Sequence, residues 1–147
     1  MEEDKTILLV EDNPQDEKLI LRTLRRINLA NEVFVVRDGQ QALDYLLREG
    51  EFAGRGGADP TVVMLDVNLP RVSGLEVLER LRQDPKTHLI PIVMLTSSDE
   101  ERDRMKSYEG GANSFVRKPL DFAQFAETVA RLGIYWLAVN QPPKVTV

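Results

Sequence analysis

The sequence predicts an α/β domain with a doubly wound, five-stranded parallel sheet and helices on both faces. Three observations predict it. Five short apolar runs recur along the chain, segments with helical spacing alternate with them, and three of the runs are continuously apolar. Regular strand–helix alternation calls for a parallel sheet, because each crossover helix returns the chain to the same edge. Continuous apolar runs suit strands buried on both faces, as such a sheet requires. The 147 residues fit one domain, since single cores run to roughly 100–200 residues.

The first strand is Thr6–Val10, with Ile7-Leu8-Leu9-Val10 unbroken by a polar residue. Asn13 before Pro14 gives an N-cap and a first-turn proline, and Ile20, Leu24 and Ile27 then fall at i, i+4, i+7. The second strand is Glu32–Val36. Leu43, Leu46 and Leu47 form the stripe of a helix in Gly39–Glu49, and Asp38 with Gln41 has the spacing of a capping box. Gly54-Arg55-Gly56-Gly57 reads as a loop. No phosphate-loop pattern is present and no strand directly precedes it.

The third strand is Thr61–Leu65, built on Val62-Val63-Met64-Leu65. Ser73 with Glu76 caps a helix whose Leu75, Leu78 and Leu81 repeat every third position. The fourth strand is Ile92–Leu95. Ser98 with Glu101 has capping-box spacing ahead of Asp99–Tyr108, a weakly anchored helix with only Met105 and Tyr108 as large apolar residues. The fifth strand is Ser114–Val116. Asp121 with Gln124 opens a last, longer helix that places Phe122, Phe125, Ala126, Val129 and Trp136 on one face.

Composition removes several function classes. The chain has 0 Cys, which excludes disulfides, thiolate chemistry and the usual ligands of zinc or iron–sulfur sites. Its single His, His88, makes a Ser–His hydrolase a poor reading. Net charge is −5, from 24 acidic and 19 basic residues, which argues against a broad basic face for nucleic acid. The hydrophobic share of 42% and charged share of 29% belong to a globular chain rather than a disordered one. No apolar run approaches the roughly 20 residues that span a bilayer, so no membrane role is expected. The acidic start Met1-Glu2-Glu3-Asp4 is unlike a signal peptide, and the expected location is the cytoplasm.

Ligands of open parallel sheets bind beyond the carboxyl ends of the strands. There the first strand gives Glu11-Asp12, the third Asp66, the fourth Thr96-Ser97-Ser98, and the fifth is followed by Lys118-Pro119. Each residue has an ordinary structural role available: an acid after a strand caps a helix, a lone Lys is solvated, a Thr ends a strand. Three gathered carboxylates are not explained that way, because like charges at close range cost free energy unless a cation lies among them. Oxygen ligands without His or Cys favour a hard ion such as Mg²⁺ over Zn²⁺. A carboxylate beside Mg²⁺ can attack a phosphoryl group and form an aspartyl-phosphate. Mg²⁺, Lys118 and the Thr96 hydroxyl can each meet one phosphoryl oxygen. Asp66 is the candidate nucleophile, since it stands alone at the end of a central strand.

Four ordered segments carry a family resemblance. They are Ile7-Leu8-Leu9-Val10-Glu11-Asp12-Asn13, Val63-Met64-Leu65-Asp66-Val67-Asn68-Leu69-Pro70-Arg71-Val72-Ser73-Gly74, Val93-Met94-Leu95-Thr96-Ser97, and Gly111-Ala112-Asn113-Ser114-Phe115-Val116-Arg117-Lys118-Pro119. In order and spacing the chain resembles the response-regulator receiver domains of two-component signalling, over roughly residues 5–132. The resemblance implies a flavodoxin-like strand order 2-1-3-4-5, with Asp66 as phosphoacceptor. It implies a Mg²⁺ site from Glu11, Asp12, Asp66 and the Asn68 backbone carbonyl, with Thr96 as switch hydroxyl, Phe115 as switch aromatic and Lys118 as the conserved cation. It implies a cis Lys118–Pro119 bond. Two departures stand out. Glu11 replaces the commoner Asp, and Phe115 replaces Tyr, so the switch ring has no hydroxyl to donate. The phosphoryl donor would be a sensor histidine kinase.

Only 15 residues follow position 132, too few for an output domain, so signalling by contact is expected. The receiver domain is read as 1–132 and the extension as 133–147. The extension holds the only Trp and one of three Tyr. Tyr135, Trp136 and Leu137 either cap the domain's own core or form a dimer contact. The acidic start, the Arg48–Asp59 loop and the Ile134-Tyr135-Trp136 ending resemble the stand-alone regulators of bacterial phytochrome histidine kinases, which implies a homodimer.

Three rival readings fit the residues less well. An aspartyl-phosphate phosphatase wants an acid two residues after the nucleophile, where this chain has Asn68. A flavin carrier wants a Ser/Thr/Gly-rich phosphate loop where Glu11-Asp12-Asn13-Pro14 stands. A degenerate receiver, used only for binding, has no need of an intact Asp66, Thr96 and Lys118. No reaction on an external substrate is expected.

Overall fold

A computed structural model describes residues 4–143; positions 1–3 and the last four residues of the extension, 144–147, lie outside the described residues. Strands β1 (Thr6–Val10), β2 (Glu32–Val36), β3 (Val62–Leu65), β4 (Ile92–Thr96) and β5 (Ser114–Arg117) form one parallel sheet in the order β2-β1-β3-β4-β5. Helices α1 (Pro14–Ile27), α2 (Gly39–Leu47), α3 (Gly74–Gln83) and α4 (Glu101–Glu109) make the crossovers, and α5 (Phe122–Ile134) follows the last strand. This is the expected doubly wound architecture and strand order.

Successive side chains of a strand point to opposite faces, and the core divides accordingly. Leu8, Val10, Val63, Leu65, Ile92 and Met94 pack beneath α2 and α3, against Ala42, Leu43, Leu46, Val77, Leu78 and Leu81. Ile7, Leu9, Val62, Met64, Val93 and Leu95 pack on the other face, against Ile20 and Leu24 of α1 and Phe125 and Val129 of α5. Both faces demand apolar residues, which is why these strands do not alternate with polar ones.

Most helix starts follow the capping signals. Asn13 Oδ1 accepts from the backbone N–H groups of Gln15 and Asp16, Asp38 from Gln41, Ser73 from Glu76 and Asp121 from Gln124. The Ser98 box does not form. Glu100 occupies the N-cap of α4 and makes no side-chain cap. The Ser98 hydroxyl instead donates to Asp103 Oδ2 at 2.6 Å. α4 is thinly anchored as expected: only Ser107 is buried, and Met105 and Tyr108 face solvent.

Two further expectations are corrected. Phe122 is exposed and is not on the buried stripe of α5, because it is the first residue of the helix and the burial begins one turn later, at Phe125. The Lys118–Pro119 bond is trans, the isomer that X–Pro bonds favour intrinsically, and there is no cis peptide among the described residues.

The last helix passes position 132, as the placing of Trp136 on its face requires. It runs to Ile134 and continues as a π-helical turn over Tyr135–Val139, closed by the Asn140 N–H donating to Tyr135 O at 2.6 Å. Trp136 and Leu137 are buried with the α1–α5 core, while Tyr135 is exposed. The loop Arg48–Asp59 is ordered by its own side chains. Arg55 stacks 4.0 Å over Tyr45 and donates to Tyr45 O, and Arg48 donates to Gly57 O.

One glycine fixes the loop after β3. A Cβ on Gly74 would lie 1.9 Å from Asp66 O. Gly74→Ala is therefore expected to destabilise the protein by about 3 kcal/mol or more, the upper range for overpacking against rigid atoms. Urea unfolding measures it, and a loss within error of zero would show that the loop yields freely.

Candidate functional site

The parallel register levels the strand ends. Val10 pairs with Leu65, so Glu11 and Asp66 leave neighbouring strands side by side. Thr96 pairs with Arg117, so Lys118 emerges one residue beyond, and its N–H donates to Thr96 O at 2.7 Å. Cap geometry then turns the chain away at Asn13, leaving Asp12 exposed at the rim.

At the centre is the Lys118 ammonium. Its Nζ lies 2.7 Å from Glu11 Oε1, 2.9 Å from Asp66 Oδ2 and 3.0 Å from Asp16 Oδ2. Glu11, Asp66 and Lys118 are all buried. The remaining carboxylate oxygens are also held: the Asn13 N–H donates to Glu11 Oε2 at 3.2 Å and the Asn68 N–H to Asp66 Oδ1 at 3.1 Å.

Burial opposes every one of these charges, and the balance differs between groups. Desolvation pushes the Glu11 carboxyl from 4.5 up to about 7, against the hydrogen bond and charge of Lys118, which pull it down. Burial would lower the Lys118 pKa, but Asp66 and Glu11 outweigh it and hold the ammonium above its ordinary range.

Glu11, Asp12 and Asp66 each bring an oxygen within 4.8 Å of the others. Such a group of hard oxygen donors, with one buried acid kept reluctant to ionise, fits a divalent cation of the Mg²⁺ or Mn²⁺ kind.

Other expected residues stand around this centre in distinct ways. Thr96 is fully buried, and its hydroxyl oxygen accepts the Ser98 N–H at 3.2 Å. Asn68 lines a polar cleft of about 360 Å³ together with Ser97, Ser98, Asp99, Glu100, Arg102 and Asp103. Phe115 is half-buried against the α2–α3 side of the core, with the Arg104 guanidinium 5.8 Å from its ring centroid. Tyr135, Trp136 and Leu137 belong to the α5 end and make no part of this centre.

Two residues of this neighbourhood were not singled out from the sequence. Asp16 follows Asp12 by one helical turn, but an acid in a first turn reads equally well as a partner of the helix dipole. Arg104 is one charge in a helix of many, and nothing local marks it as the one above Phe115.

A family model, the response regulator receiver domain, matches residues 7–130. Among curated relatives, the probable methanogenesis regulatory protein FilR2 of Methanothrix harundinacea is 40% identical, over 93% of this chain and 86% of its own. Response regulator Rcp1 of Synechocystis is 35% identical, over 90% and 89%. The Mn²⁺-bound structure of Rcp1 superposes with a TM-score of 0.89 over 95% of this chain and 99% of its own, at 34% identity. The phosphorylated cyanobacterial phytochrome response regulator RcpA gives 0.90 over 96% and 99%, at 37% identity. The bacteriophytochrome response regulator RtBRR gives 0.75 over 95% and 84%, at 54% identity.

Proposed function

The chain belongs to the response-regulator receiver family, and from that premise we propose that it takes a phosphoryl group onto Asp66 from a sensor histidine kinase of the bacterial phytochrome class. The observation that carries this reading is the buried Lys118 ammonium bonded to Asp66 and Glu11 beside the three-carboxylate group. The resemblance to phytochrome response regulators supports the choice of kinase. The cytoplasm is the compartment this reading implies; among the described residues no helix is long and apolar enough to cross a membrane.

In the step proposed, an Asp66 carboxylate oxygen attacks phosphorus and forms a P–O bond. The P–N bond to the donor imidazole breaks, its electron pair stays on nitrogen, and that nitrogen takes up a proton. Glu11, Asp12, Asp66 and the Asn68 carbonyl would hold Mg²⁺, which when bound would supply neutralising charge for the phosphoryl oxygens. Lys118 donates to one of those oxygens, and the Thr96 hydroxyl, released from the Ser98 N–H, donates to another. Movement of Thr96 leaves space that the Phe115 ring fills. α4, with little buried area holding it, shifts with the ring. Asn68, lacking an acidic proton, does not suit the alternative of a phosphatase acting on external substrates.

Acetyl phosphate with Mg²⁺, read by intact mass, tests the reading. A gain of one phosphoryl group is expected for the natural chain and none for Asp66→Asn. Gain that persists in Asp66→Asn sinks it.

We further propose that two copies associate through the α5 end. Ile134, Tyr135 and Val139 are exposed there, a cluster that a partner copy would cover.

A further inference from the structure

We propose that Asp16 is a positioning residue for the phosphotransfer proposed above: it fixes the direction in which Lys118 presents its donor to the phosphoryl group. This inference rests on the receiver reading.

An ammonium carries three N–H donors and no acceptor. Lys118 Nζ has three carboxylate partners, Glu11, Asp16 and Asp66, at 2.7, 3.0 and 2.9 Å. Two of these partners keep their carboxylates when phosphorus bonds to Asp66. Glu11 and Asp16 therefore spend two donors on holding the ammonium, and the third points at the reacting carboxylate. Once an Asp66 oxygen is bonded to phosphorus as an acyl phosphate, and the P–O bond to acetate or the P–N bond to imidazole has broken with its electron pair leaving on that group, the third donor is free for a phosphoryl oxygen without the lysine having to move.

Asp16 is suited to the task in a way Glu11 is not. It contributes no oxygen to the three-carboxylate group, so a divalent cation does not compete for it. Its backbone is fixed, because the Asn13 cap accepts its N–H at 3.1 Å. Its side chain is only partly buried, at the open side of the Lys118 ammonium. An acid here merely to suit the helix dipole needs no contact with a side chain 102 residues away, yet Asp16 and Lys118 are hydrogen-bonded.

Asp16→Ala and Asp16→Asn are compared with the natural chain, using acetyl phosphate as donor, saturating Mg²⁺ and intact mass for the rate. Asp16→Ala is expected to react about tenfold more slowly, the size of one lost hydrogen bond to a charged group. Asp16→Asn, whose amide oxygen still accepts, is expected to recover most of the rate. Mg²⁺ affinity by calorimetry is expected to be unchanged in both. A natural rate in Asp16→Ala overturns the proposal. So does an equally slow Asp16→Asn, which would make Asp16 a source of field and not of geometry. So does a deficit that further Mg²⁺ removes. Absence of mass gain in the natural chain overturns the receiver reading itself, which separates the two failures.

Discussion

Lys118→Met, assayed by urea unfolding at pH 8 without divalent cation, is expected to lose about 3–5 kcal/mol of stability, the usual cost of removing one partner from a buried charge cluster. The substitution keeps an unbranched side chain only one atom shorter, so little packing is lost. What remains is two buried carboxylates, Glu11 and Asp66, facing each other with Asp16 nearby and no cation among them. The defect should depend on pH with a definite sign. In the folded natural chain the Glu11 carboxyl sits at about 7, above its ordinary 4.5, chiefly because burial opposes its charge. A raised folded-state value favours folding fully below about 4.5, and that contribution is lost as pH rises through about 7. Lys118 is what pulls Glu11 down, so in Lys118→Met the carboxyl ionises at still higher pH. The deficit should therefore shrink at pH 5, where Glu11 is neutral in both chains. Glu11→Gln should flatten the dependence between pH 5 and pH 8. Mg²⁺ should restore more stability to Lys118→Met than to the natural chain, because a cation bound only by the folded state stabilises it by mass action and Lys118 no longer competes. An unfolding midpoint at pH 8 that matches the natural chain would show that the cluster does not need its cation.

That cluster also marks where sequence reading reaches its limit. Glu11, Asp12, Asp66, Thr96 and Lys118 were all legible as residues that end or follow strands. In a parallel sheet every strand ends at the same edge, so knowing the strands is enough to place them. Asp16 was not legible, because its meaning comes from Lys118, 102 residues away, and no local pattern encodes that contact. The same limit explains the missed details. Ser98 and Glu101 have the spacing of a capping box, but the loop after β4 sets where α4 begins, and Ser98 bonds Asp103 instead. Phe122 lies on the periodic stripe of α5, yet periodicity reports a face and not where along the helix burial begins. Register and packing decide such questions, and both are properties of the whole sheet.

The extension puts those two kinds of information in direct competition. Tyr135, Trp136 and Leu137 are adjacent in sequence, but the π-helical turn sends them to different surroundings. Trp136 and Leu137 join Ile20, Leu24 and Phe125 in the core, and Tyr135 stays half exposed with its ring edge-on to Trp136 at 5.1 Å. Gly133 allows this close fit: a Cβ there would meet Ile27 Cδ1 at 2.6 Å, so α5 lies directly against α1. Trp136→Ala is therefore expected to cost about 3–5 kcal/mol, the range for emptying a large aromatic site in a core, whatever the oligomeric state. Tyr135→Glu should leave stability within about 0.5 kcal/mol, as surface changes do. If two copies meet at this end, Tyr135→Glu should convert a sedimenting dimer into a folded monomer. Truncation after Leu132 cannot make that distinction, since it removes Trp136 and Leu137 from the core together with the exposed face. The decisive pair is urea unfolding and sedimentation of the two single variants. A Trp136→Ala chain as stable as the natural one would mean that the α5 end is not part of the core. A natural chain that sediments as a monomer, unchanged by Tyr135→Glu, would remove the dimer and leave the exposed Tyr135 without a partner copy.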